Sequence, residues 1–219
     1  MKPVALFRSP LPEKFGIPRQ AGVVPQLKGE IRLIGEFAQP QALRGLEGFD
    51  YLWLIWEFSL NGDGDGSLTV RPPRLGGNER VGVFASRSPF RPNRLGLSSV
   101  RIEKIDTQEC SITVSGADLA DGTPIYDIKP YVEYTDSHPG ARCGFVDSNL
   151  WEPLEVAIPD CIAEYFDPSE IQALRSLLAQ DPRPAYQDDP ERIYGLAFGG
   201  RQVHFKVSGQ KLTVTSCEI

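Results

Sequence analysis

Residues 51–58 read YLWLIWEF, a run of aromatic and branched side chains whose one charge, Glu57, comes near its end. Such side chains suit the pleated, packed surface of a sheet, and the run is far too short to span a membrane. It reads as a central buried strand, and the fold builds outward from it. Upstream, Val4 to Phe7 is a short strand, Leu11 to Val24 a loop rich in Pro and Gly, and Glu30 to Phe37 another strand. Pro40 to Leu46 is a short helix with proline in its first turn. Downstream, Asn61 to Gly66 (NGDGDG) is a flexible loop and Arg80 to Ser86 a strand. Ser88 to Asn93 (SPFRPN) is irregular, because its two prolines remove ladder donors and block a helix. Strands resume at Leu95 to Ile105, Ser111 to Ser115 and Pro130 to Tyr134. Short strands at these intervals predict a mainly β fold, a single antiparallel-rich β-barrel.

Beyond Ser137 the pattern changes. Prolines and glycines punctuate the chain to Pro159, so 141–160 reads as a linker after a barrel over 1–140. Asp167-Pro168-Ser169-Glu170 then opens a helix: Asp caps it, Pro takes the first helical position and Glu completes a capping box. Ile171, Leu174, Leu177 and Leu178 form its apolar stripe, and Asp181-Pro182 ends it. Ile193 to Phe198 and Gln202 to Val207 flank Gly199-Gly200 as a hairpin, with Leu212 to Cys217 as a third strand. Residues 161–219 are expected to form a small α+β C-terminal domain.

No apolar run reaches membrane-span length, and the N-terminus lacks the apolar core of a signal peptide, so a soluble cytoplasmic protein is expected. Cys110, Cys143, Cys161 and Cys217 form no CxxC pair and read as reduced, mostly buried thiols. With His138 and His204 the only histidines, no metal is expected. The net charge of −6 argues against general attraction to nucleic acid, but its distribution is uneven. Residues 71–101 hold seven arginines against one acid, Glu79, a net of +6. Two readings stand: a solvated basic face, or a surface that grips phosphate and stacks on bases through the guanidinium fork.

Two segments concentrate chemistry: GVFASRSPFRPNRLGLS at 82–98 and DGTPIYDIKPY at 121–131. Their prolines and glycines could simply shape loops at a barrel rim, yet Arg87, Arg91, Asn93 and Arg94 are unusual in a mere connection, and loops on rigid scaffolds carry binding groups. With IPRQAG at 17–22, LRGLEGFDYLWLIWEF at 43–58, VRPPRLGGNERVGVFASRSPFRPN at 70–93 and QDPRPAY at 180–186, they cover nearly the whole chain. Together they resemble the TsaA-like family, the tRNA (N6-threonylcarbamoyladenosine) N6-methyltransferases also called the TrmO family.

The resemblance implies a β-barrel that binds S-adenosyl-L-methionine without a Rossmann sheet. It implies a tRNA substrate bearing N6-threonylcarbamoyladenosine beside the anticodon, methylation of that N6, and a homodimer. Cofactor contacts carry over to Pro18, Arg19, Gln20, Arg87, Leu97, Asp121, Gly122, Thr123 and Pro124. Ser59 and Leu60 are expected at the cofactor too, although they stand where the family has His-Gln, and Arg94 stands where it has proline.

The acceptor nitrogen belongs to a urea-like group and is a weak nucleophile while it keeps its proton, so a base would help. Asp127 and Tyr126 are the expected catalytic residues, with Asp121 a further candidate base; Asp127 reads equally well as an acceptor for loop amides. Arg19 or Arg87 would take the cofactor's carboxylate. Arg74, Arg91, Asn93, Arg94 and Lys129 are expected to contact tRNA. A barrel that holds tRNA or a nucleotide without catalysis is the main alternative, and a methyltransferase for a small molecule would leave the arginines unexplained.

Overall fold

A computed structural model describes residues 1–62, 66–76, 79–149, 152–184, 187 and 189–218. The tip of the NGDGDG loop, Gly77-Asn78, and Ala185 and Tyr186 of QDPRPAY lie outside the described residues. Among the described residues eight strands precede residue 131: β1 (Ala5–Arg8), β2 (Lys28–Leu33), β3 (Tyr51–Glu57), β4 (Thr69–Val70), β5 (Val81–Gly82), β6 (Leu95–Asp106), β7 (Ser111–Ser115) and β8 (Pro124–Pro130). Six of them close a barrel in the order β1-β2-β7-β6-β3-β8, every pairing antiparallel, while β4 and β5 form a separate ribbon.

YLWLIWEF sits at the heart of this barrel, between β6 and β8. Leu52, Leu54 and Trp56 point inward with Phe7, Ile31, Val100, Ile112, Val114 and Ile125, all nearly free of solvent contact. The alternate residues of β3 face outward, so the strand is buried on one side only. Trp56 fixes its neighbour: a Cβ on Gly96 would lie 2.3 Å from the indole, so only glycine lets that ring lie against β6.

Several boundaries differ from those expected. Glu30 to Phe37 is strand only to Leu33, then a 3-10 turn over Gly35–Phe37. Pro40 to Leu46 is not one helix but a 3-10 turn, Pro40–Leu43, and Leu46–Gly48 forms a second. Arg80 to Ser86 is strand at Val81–Gly82 alone, because Ser86 folds back and its Oγ donates to Val83 O at 2.9 Å. The last barrel strand is Pro124–Pro130 rather than Pro130 to Tyr134. Asp136 instead gathers the following turn, α1 (Glu133–Asp136), by accepting from Val132 N at 3.0 Å and Trp53 Nε1 at 2.8 Å.

After a second short helix, α2 (Phe145–Ser148), strand β9 (Glu155–Ala157) arises inside the stretch read as linker. It pairs parallel with β12 (Lys211–Glu218) in a sheet ordered β10-β11-β12-β9. A one-turn helix, α3 (Asp160–Ala163), leads to α4 (Pro168–Ala179), which has the full capping box on Asp167. The hairpin β10 (Tyr194–Phe198) and β11 (Arg201–Ser208) turns on Gly199 and Gly200, both at positive φ.

This second sheet and α4 share a core that also takes in Leu11, Val24 and Leu27, with Phe15 and Ile17 packed against it. The loop between β1 and β2 is therefore bound to the C-terminal core, although its sequence sits among barrel strands. No described helix is long and apolar enough to cross a membrane. Among the described residues all four cysteines are free; Cys143 and Cys161 are exposed rather than buried, Cys110 is buried and Cys217 lies between.

Candidate active site

The loop at 17–22 is held from both sides. Its Ile17 packs on the second core and Pro18 is buried, while Gly22 N donates to Gly116 O at 2.7 Å. Arg87, exposed on the loop after β5, reaches across and donates through Nη1 to Gln20 Oε1. Beneath them lies Asp118, a residue that sequence reasoning missed. Its carboxylate accepts from Ser98 Oγ and from the Ala21 amide, and Ser98 in turn accepts from Trp56 Nε1 at 2.9 Å. Burial pushes the Asp118 carboxyl above its ordinary range, opposed by these hydrogen bonds and by the positive charge of Arg87. A hydrogen-bonded chain thus runs from Trp56 through Ser98 to Asp118, whose carboxyl feels the charge of Arg87, itself bonded to Gln20.

The DGTP turn is sewn to β1 and the loop that follows. Asp121 Oδ1 accepts from Ser9 N at 3.0 Å, Oδ2 lies 3.5 Å from Arg8 Nη1, and Asp121 N donates to Leu11 O at 2.9 Å. Gly122 N donates to Phe7 O, and Thr123 is buried. These contacts occupy Asp121 in shaping the turn and leave it poorly suited to act as a base.

Tyr126 sits at the bulge where β8 leaves the register of β3, and its hydroxyl donates to Glu57 Oε2. That hydrogen bond, with some burial, raises the tyrosine pKa, so the phenol keeps its proton. Arg94 Nη2 grips the other Glu57 oxygen at 2.9 Å, and its Nη1 donates to Asn61 O at 3.3 Å. Ser59 and Leu60 are exposed beside this cluster. Arg94 has φ of +51°, a conformation closed to proline. Asn61, 6% exposed, keeps its Nδ2 without a hydrogen-bond partner among the described residues.

Ile55 pairs with Leu97 on one side and Asp127 on the other, and all three face outward on the barrel wall. Leu97 is 60% exposed and Asp127 is exposed, its Oδ1 accepting from Ile128 N at 2.9 Å. Two strand spacings put them about 10 Å apart. Among the described residues Asp127 makes no ion pair.

The remaining expected residues lie elsewhere. Arg19 lines a crevice between residues 14–19 and 180–184, donating to Asp181 O at 3.3 Å. Burial lowers its pKa, Asp181 opposes this and nearby Arg74 adds to it. Arg74 donates to Asn149 O at 3.4 Å, and Lys129 and Asn93 are exposed. Arg91 points inward, donating to Ser86 O at 2.7 Å and Val83 O at 3.4 Å. The arginine-rich segment is therefore largely a set of braces: Arg80 likewise ties Thr69 and Ser67.

The donor set fits S-adenosylmethionine. Arg87, held by Gln20, offers a cation for a carboxylate, and Leu97 on the barrel wall and Leu60 after β3, 60% and 47% exposed, offer apolar surface. No group of His, Cys, Asp and Glu able to hold a metal ion occurs among the described residues.

Comparison with known proteins agrees along the whole chain. The family model described as the tRNA-methyltransferase O N-terminal domain matches residues 6–137, and the TrmO C-terminal domain matches 154–219. A tRNA (adenine(37)-N6)-methyltransferase of Escherichia coli (strain K12) is 37% identical over 98% of this chain and 96% of the relative. A putative S-adenosylmethionine-dependent methyltransferase of Pseudomonas aeruginosa is 40% identical over 94% and 91%. The crystal structure of TrmO from Pseudomonas aeruginosa superposes with a TM-score of 0.80 at 31% identity, covering 99% of this chain and 97% of that one. With barrel and appended sheet both accounted for, the chain belongs to the TrmO family of tRNA methyltransferases.

Proposed function

We infer that the chain is an S-adenosyl-L-methionine-dependent methyltransferase that methylates N6 of adenosine 37 in tRNA, as its relatives' names describe. The observation that carries this reading is the match of both parts of the chain to one family. The acceptor we assign is N6-threonylcarbamoyladenosine, next to the anticodon, and the enzyme works as a cytoplasmic homodimer. The dimer follows the resemblance to the family. The catalytic unit is the barrel to about residue 140; pairing of β9 with β12 favours starting the second unit at β9 rather than at 161.

Bound S-adenosylmethionine supplies a methyl group activated by its sulfonium charge. Arg87 holds the carboxylate of its amino-acid end, kept in place by Gln20 and by Asp118 beneath. Pro18, Leu97, Leu60 and the Gly122 turn shape the surface around it, and Thr123 and Pro124 anchor that turn to the barrel. Asp127 takes the N6 proton, which becomes acidic as the new C–N bond forms. Tyr126, committed to Glu57, acts as a donor and not as a base. Much of the acceleration then comes from alignment of donor and acceptor.

Two variants and the cofactor test this division. Arg87→Ala should weaken S-adenosylmethionine binding, read by calorimetry, by about tenfold or more, as for loss of a charge-assisted contact. Asp127→Asn should leave that affinity near wild type and lower turnover by about a hundredfold, within the usual range for a lost proton acceptor. Equal loss of cofactor affinity in both would contradict the assignment. A non-catalytic binder would show no labelled methyl transfer to tRNA and no rise in melting temperature with the cofactor.

A further inference from the structure

The loop from Val83 to Arg91 is built in an unusual way. Its arginine at 91 points inward and its serines close local turns: Ser88 N donates to Ser86 Oγ at 3.3 Å, and Phe90 N to Ser88 Oγ at 3.2 Å. What the loop turns outward is Phe84, 75% exposed, and Phe90, 50% exposed. Each ring already carries a cation: Arg91 lies 6.0 Å from the Phe84 centroid and Lys14 lies 5.4 Å from that of Phe90. The rings stand three residues before and three after Arg87. A braced loop showing two phenylalanines costs solubility, and neither ring joins a hydrophobic core.

Resting on the tRNA reading above, we propose that Phe84 and Phe90 are stacking platforms for unpaired bases of the anticodon loop, flanking the Arg87 site. Single-stranded RNA is held by aromatic faces set in positive surroundings, and a cation beneath a ring leaves its other face for a base. The occupant follows from charge. The rings sit within the segment that is net +6 in a chain that is net −6, so a two-fold contact that lays this loop on its own copy would bring like charges together, whereas RNA brings phosphates. Because the loop is fixed by its own hydrogen bonds, little ordering is left for binding to impose.

The test uses the full-length protein and tRNA carrying the threonylcarbamoyl modification. Affinity for tRNA is measured at several salt concentrations for wild type, Phe84→Leu, Phe90→Leu, the double variant and Phe90→Trp. Both rings are exposed, so folding should survive, as melting will show. Each leucine should weaken tRNA binding by roughly tenfold, while tryptophan retains or improves it, because stacking needs a π face. The logarithmic salt slope should not change, since no phosphate contact is lost. Cofactor affinity and sedimentation should match wild type. Wild-type tRNA affinity in the double variant would overturn the proposal and leave the methyltransferase reading intact. A fall in cofactor affinity would assign the rings to the cofactor site, and a smaller sedimenting species would assign them to a subunit interface; either overturns it. If wild type itself binds no tRNA, the functional reading falls, and this proposal with it.

Discussion

Asp118 holds a carboxyl where burial disfavours its charge, yet Ser98, the Ala21 amide and Arg87 all favour it. Burial is the largest influence, so the group holds its proton more tightly in the fold than in the unfolded chain. Such a group stabilises the fold at acid pH, in full below the ordinary value of 3.8, and that benefit is lost as pH rises through the higher native value. Asparagine imitates the protonated form. Asp118→Asn should therefore melt at a higher temperature than wild type at neutral pH, with the gap closing in acid. A variant that melts lower at neutral pH would mean that the hydrogen bonds and Arg87 outweigh burial. The residue was hidden in sequence because nothing in GADLADG marks which acid the fold buries. Arg87 and Gln20 were legible as part of a motif set, and they do meet. Arg91 was legible as a charge but not in direction, since only the folded loop shows its guanidinium turned onto carbonyls.

At the scale of elements, strands that alternate or pack strongly were readable: Ser111–Ser115 has the bounds that its residues predict, and the Asp167 capping box is complete. Weaker signals failed where local chemistry competed, as at Ser86 and Pro130. The loop from Leu11 to Val24 was read correctly as irregular, but not for what it binds. Leu11, Val24 and Leu27 bury in the second core, and the same segment carries Arg19 and Gln20. Pattern along the chain cannot reveal that, because the partners are residues 154–214. Leu11 is 0% exposed, so Leu11→Ala should cost about 2–5 kcal/mol of stability, measured by denaturant unfolding. The account also expects weaker cofactor binding in the folded fraction, since the Gln20 loop is tethered through this core. Full stability in the alanine variant would show that the loop is not held there.

For the whole molecule, the acidic total and the local basic segment divide labour. Most of the arginines brace the surface they decorate, which neither the solvated-face reading nor the phosphate-gripping reading foresaw, while Arg87 remains exposed at the proposed site. The barrel gives a wall on which Leu97 and Asp127 stand in register about Ile55, and the second core holds the loop that carries Gln20 of the proposed site. The barrel, the appended sheet and the family were all legible; how the second core captures the loop after β1 was not. The central claim, methylation of N6 in the modified adenosine beside the anticodon, is tested most directly by mass spectrometry of anticodon-loop nucleosides from cells with and without the gene. The account predicts that N6-methyl-N6-threonylcarbamoyladenosine disappears when the gene is removed, that its unmethylated precursor accumulates, and that Asp127→Asn restores little of it. An unchanged nucleoside profile in cells lacking the gene, with no other enzyme of this family present, would contradict it.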